Sequence, residues 1–383
     1  MSTAQVNASA SLPCFRPAWN PSSRQRRHYN EDMLLEGVFA AVTTPFYADE
    51  RLYLRKLEAN VDRYSRSLLS GMVILGSTGE APALTDAESR EVLRAAAQAA
   101  APEKLLIAGV GRESAAATLD LAETAAEFRY DAILVRTPTY YSGQMTPQAV
   151  LTHFRSVADR SPLPVLLYNI PRCVPYNIPV EMVAELAQHP NIIGIKDSSG
   201  DLERLKATIA ATQNAPRRTT TVTPVFEAVT DRMLHPGAAQ SGREGLVSIA
   251  DASGGAGVVT AAPQLKTRTR EVGFQVLTGS AAIILDALEA GASGAILGLA
   301  ACIPQACQEV HFAWKDHDLK LAAEKQQRIL AANQGIVVEL GIAGIKHACD
   351  FNGYYGGRPR IPLLAPSAKQ KQQIEQLLNT IRN

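Results

Sequence analysis

The sequence predicts an α/β protein whose core is a (β/α)8 TIM barrel, and three observations lead there. Apolar strand-like runs alternate with helical patterns from residue 38 onward, and such alternation builds a parallel sheet. Eight strand–helix units fall within the roughly 250 residues that such a barrel needs. The first strand ends in Thr43-Thr44-Pro45-Phe46, without the glycine-rich phosphate loop of a doubly wound open sheet.

The units follow one another in order. Val38–Pro45 precedes an amphipathic stretch over Leu54–Leu69, and Met72–Gly76 precedes Asp86–Ala100. Leu105–Gly111 is followed by Ala115–Phe128, and Ala132–Pro138 by Pro147–Ala158. Val165–Pro171 leads to Val180–Gln188, and Ile192–Ser198 to Asp201–Thr212. Phe274–Ser280 leads to Ala281–Gly291, and Ala295–Ala300 to further helical sequence. Short apolar runs of this kind are strands buried on both faces. From Pro304 to the end the pattern is a C-terminal helical segment, so the barrel spans residues 34–303.

Polar residues fall at the C-terminal strand ends, where a barrel enzyme builds its site. These are Thr43 and Thr44, then Ser77, Thr78 and Glu80, then Tyr140 and Tyr141, Tyr168, Lys196, and Gly279 with Ser280. Lys196 is the most telling, because it closes the apolar run Asn191-Ile192-Ile193-Gly194-Ile195. Burial disfavours a lysine's charged form and frees a neutral amine to attack a carbonyl. The competing reading is a strand-end lysine that snorkels to water or pairs with Asp197. HExxH, CxxC, GxxxxGK[ST] and GxSxG are all missing, so zinc, P-loop and serine-hydrolase chemistries lack their motifs. No metal and no cofactor are expected.

Gly76-Ser77-Thr78-Gly79-Glu80, Tyr168-Asn169-Ile170-Pro171 and Gly194-Ile195-Lys196-Asp197-Ser198 resemble the signatures of the dihydrodipicolinate synthase / N-acetylneuraminate lyase family. Members of that family are class I, Schiff-base-forming aldolases on a (β/α)8 barrel. Within it, Val42–Phe46, Phe274–Ala281 and Gly353-Tyr354-Tyr355-Gly356-Gly357 look most like 4-hydroxy-2-oxoglutarate aldolase. The resemblance implies that Lys196 forms the imine and that Tyr168 shuttles protons beside it. Ser77 and Thr78 would bind the substrate's 1-carboxylate. Tyr140 matches a relay tyrosine that reaches a neighbouring subunit's site, and Thr44 would link it to Tyr168. Ser198, Gly279 and Ile296 match positions around the rest of the substrate. Glu80 is read as a structural hydrogen-bond partner.

Departures from the family pattern narrow the substrate. Synthases carry an arginine two residues after the proline of Tyr-Asn-x-Pro, and here that position is Cys173, with Arg172 one residue earlier. Arg172 remains a candidate for the same space. Sialic acid lyases place acidic residues where this chain has Ala281 and Ala282. The expected activity is therefore cleavage or formation of a C–C bond in a small 2-oxo acid, releasing pyruvate. The enzymatic alternatives are 4-hydroxy-tetrahydrodipicolinate synthase and a 2-keto-3-deoxy sugar-acid aldolase. A metabolite-binding pseudoenzyme is the non-enzymatic one, but it would be expected to lack a member of the set Lys196, Tyr168, Thr44 and Ser77-Thr78.

Composition fits a large-cored globular chain: 46% hydrophobic, 20% charged and a net charge of +1 over 383 residues. That balance offers no basic footprint for nucleic acid, and no apolar run approaches the ~20 residues of a membrane span. A small 2-oxo acid and further copies of the chain, as dimer or tetramer, are the expected partners. Five scattered cysteines suit a reducing compartment. The extension over residues 1–33 begins with thirty residues that hold four arginines and no acidic residue, like a mitochondrial transit peptide. Pro13, Pro17 and Pro21 interrupt any continuous helix there, so a disordered tail fits equally, and the compartment reads as cytoplasm or mitochondrial matrix. Residues 213–272, between helix six and strand seven, form a Thr-, Gly- and Ala-rich insertion without periodicity. It reads as disordered or as non-coding sequence retained in the gene model, with no catalytic role.

Overall fold

Strands form where the apolar runs predict them. The computed structural model describes residues 33–222 and 268–381. Its strands in chain order are β1 (Gly37–Ala41), β2 (Gly71–Ile74), β3 (Leu105–Gly109), β4 (Ala132–Arg136), β5 (Val165–Asn169), β6 (Ile192–Asp197), β7 (Arg218–Val222), β8 (Arg268–Val272), β9 (Gln275–Thr278) and β10 (Gly294–Leu297). All but β7 and β8 close into a parallel barrel, in which β6 pairs directly with β9 and β10 returns to β1.

Side chains alternate across the barrel wall, as the strand period of two requires. Phe39, Ala41, Val73, Ile107, Leu134, Leu166, Leu277 and Ile296 cluster together in the barrel interior. Their neighbours Val38, Ala40, Met72, Leu106, Ile133 and Leu297 belong to a second, larger cluster, packed with the surrounding helices. Each fully buried Val, Leu, Ile, Met or Phe side chain among them contributes about 1.5–3 kcal/mol, so both faces of the wall stabilise the fold.

The intervening helices are α1 (Leu54–Ser65), α2 (Asp86–Ala99), α3 (Ala115–Glu127), α4 (Pro147–Arg160), α5 (Val180–Leu186), α6 (Leu202–Thr212), α7 (Ile284–Glu289) and α8 (Pro304–Lys315). Their starts are chemically marked. Thr85 and Glu88 form a capping box on α2, and Ser114, Thr146 and Asp201 accept backbone amides at the starts of α3, α4 and α6. These contacts satisfy donors that a helix cannot pair internally. Beyond α8 come α9 (Leu319–Ala332), a π-helical turn over Asn333–Glu339, α10 (Gly341–Phe351) and α11 (Ala368–Leu378).

The expectation of an unstructured insertion over 213–272 needs correction at both ends. β7 and β8 pair as an antiparallel ribbon, Arg218 opposite Val272 and Val222 opposite Arg268. Threonine and valine favour strand even without an alternating apolar pattern. The Arg218 guanidinium anchors the ribbon by donating to the carbonyls of Pro190 and Ile192, at 2.7 and 3.1 Å. That anchorage lies at the N-terminal end of β6, opposite the end that carries Lys196. Residues 223–267, and the N-terminal extension through residue 32, lie outside the described residues. Among the described residues, no helix is long and apolar enough to cross a membrane.

Candidate active site

A bulge in β6 decides which way Lys196 points. Val165 pairs with Ile192, but the next pair is Leu166 with Gly194, so Ile193 is an extra residue. The insertion of one residue reverses the alternation. Ile192 packs outward and Ile193 inward, and Lys196 then shares the phase of its interior partners Tyr168 and Leu277. Gly194 permits this approach, since a Cβ there would lie 2.2 Å from the carbonyl oxygen of Gln275.

Lys196 is 4% exposed and its Nζ donates to the Tyr168 hydroxyl at 3.2 Å. The same hydroxyl lies 3.3 Å from Ser77 Oγ. Lysine, phenol and serine thus form one hydrogen-bonded chain inside the barrel mouth. The reading in which Lys196 pairs with Asp197 does not hold. The Asp197 carboxylate accepts from Arg204 Nε at 2.8 Å, Asn169 Nδ2 at 3.1 Å and the Ser199 amide at 2.8 Å.

Ser77 and Thr78 lie in a 3-10 turn, Ser77–Gly79, directly after β2. Its flanks are strained: Leu75 and Glu80 both hold left-handed backbone, at φ 60° and 56°. Gly109 makes room for it, because a Cβ there would meet the Leu75 carbonyl oxygen at 2.1 Å. Thr78 Oγ1 approaches Gly298, where a Cβ would lie 3.2 Å from it. Opposite, Gly279 abuts Ser198, and a Cβ on Gly279 would fall 1.8 Å from Ser198 Oγ. Ile296 is fully buried in the interior cluster.

Thr44 and Arg172 make contacts other than the expected ones, and Tyr140 lies at the surface. Thr44 is buried, but its hydroxyl donates to the Gly79 carbonyl at 2.6 Å, bracing the turn. Tyr140 is 79% exposed, its ring edge-on to Tyr141, with its amide held by Glu113 at 2.8 Å. Arg172 is exposed and donates to the carbonyls of Val337 and Val338 in the π-helical turn. Lys346 was not anticipated. It is fully buried and pairs with Glu80 at 2.5 Å. A lysine that directly follows the apolar run Gly341-Ile342-Ala343-Gly344-Ile345 is the signal that reveals it. Among the described residues, no group of three or more His, Cys, Asp or Glu gathers to hold a metal ion.

A closed barrel with a buried lysine and tyrosine hydrogen-bonded at one rim is the framework of a class I lyase or aldolase. The dihydrodipicolinate synthetase family model matches residues 34–238 and 238–381, and the chain belongs to that family of aldolases and lyases. It is 28% identical over 341 residues to a 4-hydroxy-tetrahydrodipicolinate synthase of Acidiphilium cryptum, covering 89% of this chain and 96% of that one. It is 27% identical over 349 residues to a probable mitochondrial 4-hydroxy-2-oxoglutarate aldolase of Emericella nidulans, covering 90% and 94%. Among solved structures, dihydrodipicolinate synthase from Bacillus anthracis superposes with a TM-score of 0.72 at 22% identity, over 91% of this chain and 99% of that one. YagE from E. coli K12, in complex with pyruvate, gives 0.71 at 24% identity, over 91% and 99%.

Proposed function

We propose that this enzyme cleaves a small 4-hydroxy-2-oxo acid through an imine on Lys196 and releases pyruvate, in the manner of a 4-hydroxy-2-oxoglutarate aldolase. The observation that carries the reading is the buried chain Lys196 Nζ–Tyr168 OH–Ser77 Oγ, at 3.2 and 3.3 Å. The Lys196 amine adds to C2 of the oxo acid, and water leaves as Tyr168 supplies a proton. Loss of the C4 hydroxyl proton then breaks the C3–C4 bond. The electron pair flows into the iminium, giving an aldehyde and an enamine. Protonation at C3 and hydrolysis release pyruvate and restore Lys196. A relay phenol can both give and recover the proton.

The Ser77-Thr78 turn offers hydroxyls and backbone N–H groups to the 1-carboxylate, a nest that binds an anion without a competing cation. Ser198, Gly279 and Ile296 would line the remainder of the substrate. Arg172 would reach a distal carboxylate only by exchanging its Val337 and Val338 partners. Thr44 serves the turn directly, and exposed Tyr140 would complete a neighbouring copy's relay in a homo-oligomer. The mitochondrial matrix or the cytoplasm is the proposed compartment, on the acid-poor N-terminus and the relative named mitochondrial.

A second reading, 4-hydroxy-tetrahydrodipicolinate synthase, is favoured by the names of several relatives. Cys173 in the arginine position weighs against it. Substrate competition decides between them. Pyruvate release should be fastest from 4-hydroxy-2-oxoglutarate, slower from 2-keto-3-deoxy sugar acids. Faster condensation of pyruvate with an amino-acid aldehyde would replace the aldolase reading with the synthase.

A further inference from the structure

We infer that the buried Glu80–Lys346 pair is a positioning device, which sets the Ser77-Thr78 turn in the geometry that receives a substrate carboxylate. The inference rests on the reading above that this turn binds the 2-oxo acid. Both Glu80 oxygens are engaged: Oε1 accepts from Lys346 Nζ at 2.5 Å and Oε2 from the Arg360 amide at 2.8 Å. Lys346 Nζ also donates to the carbonyls of Thr44 and Arg358, at 2.8 and 2.9 Å. Thr44 in turn donates through its hydroxyl to the Gly79 carbonyl. The bonds close a ring from Glu80 through Lys346 and Thr44 back to Gly79, the neighbour of Glu80 in the chain.

That ring encloses the end of the turn where the backbone is strained. Left-handed non-glycine residues persist only where their surroundings over-determine them, and Leu75 and Glu80 bracket the turn in that conformation. A buried ion pair is a poor source of stability, since an apolar pair of similar volume is often as stable. What an apolar pair lacks is a donor with three fixed acceptors. Lys346 meets Glu80, Thr44 and Arg358, and so ties the β1 end and the C-terminal segment to the turn. The polar partners of the pair are Thr44, Arg358 and Arg360, not Lys196 or Tyr168, so both act through Ser77 and Thr78.

The test uses the full chain with Glu80→Gln, which keeps an acceptor for the Arg360 amide. Lys104→Met is the control, because Lys104 is another buried lysine, bound to the Ser67 and Leu69 carbonyls away from the turn. Trapping of a pyruvate adduct by borohydride gives a half-saturating concentration and a maximal rate. Glu80→Gln should raise the former about 10- to 100-fold, the scale of a small misplacement, with the maximal rate nearly unchanged. Amide exchange of Gly79 and Glu80 should quicken in the same variant. Lys104→Met should lower the melting temperature and change neither readout. Unaltered half-saturation in Glu80→Gln, or an equal rise in Lys104→Met, overturns the positioning role. If wild type forms no adduct, the Schiff-base reading fails, and the exchange measurement alone decides whether the pair holds the turn.

Discussion

Lys196 and Tyr168 lie side by side because one residue too many in β6 turns the lysine inward. Their register pairing then makes the 3.2 Å contact a consequence of the sheet. On the proposed mechanism the phenol is a proton carrier, so Tyr168→Phe should lower kcat by about 10²–10⁴, the usual range for a lost proton-transfer group. Half-saturation should change much less, because the ring still fills its space. An unchanged kcat would make Tyr168 a packing residue. The sequence disclosed the lysine, the tyrosine and the Gly-bounded turn, since each lies at the end of an apolar run. It did not disclose the bulge, because Ile192-Ile193-Gly194-Ile195 reads the same in either phase. Nor could it show that Thr44 faces Gly79, or that Arg172 faces Val337 and Val338, since those contacts depend on loop paths.

Elements were legible in proportion to their burial. The barrel strands are covered on both faces, and so they read as continuous apolar runs. The β7–β8 ribbon did not, because Arg-Thr-Thr-Thr-Val and Arg-Thr-Arg-Glu-Val carry no apolar alternation and their partners are far apart in sequence. Helix α4 shows how an element's setting governs its response to pH. His153 is largely buried there, and burial, aided by the Arg136 charge and opposed by Glu113, pushes its pKa down to about 4. The unfolded ring titrates near 6.5, so between those values the unfolded chain binds more protons and stability falls as pH drops. The loss should approach about 3 kcal/mol at pH 4 and below. Urea melts at pH 4.5 and 7 should differ less for His153→Gln than for wild type. An identical gap in both would remove His153 from the account.

At the scale of the whole molecule, the barrel separates chemistry from its accessories. One rim gathers the C-terminal strand ends with Lys196 and Tyr168, whereas Arg218 ties the ribbon to the opposite end of the wall. Replacing residues 223–267 with a short Gly/Ser connector between β7 and β8 should therefore leave kcat and half-saturation within about twofold. Loop-closure entropy changes only about 0.6 kcal/mol per doubling of length, so stability should hold or rise slightly. Activity lost from a folded, shortened protein would place the insertion in the site. The C-terminal segment behaves otherwise, because Lys346 and Arg360 bring it to Glu80 across 266 and 280 residues of sequence. Such a pairing depends on the closed fold, which explains why Glu80 was readable only as structural and its partner not at all.

The central claim is that Lys196 is the nucleophile. It is tested most directly by incubating the protein with pyruvate and borohydride, then reading intact mass and a peptide map. The account predicts one reduced adduct per chain, on Lys196, and neither adduct nor turnover in Lys196→Arg, which keeps the charge but cannot form the imine. An adduct on another lysine, or turnover that persists in Lys196→Arg, would contradict it.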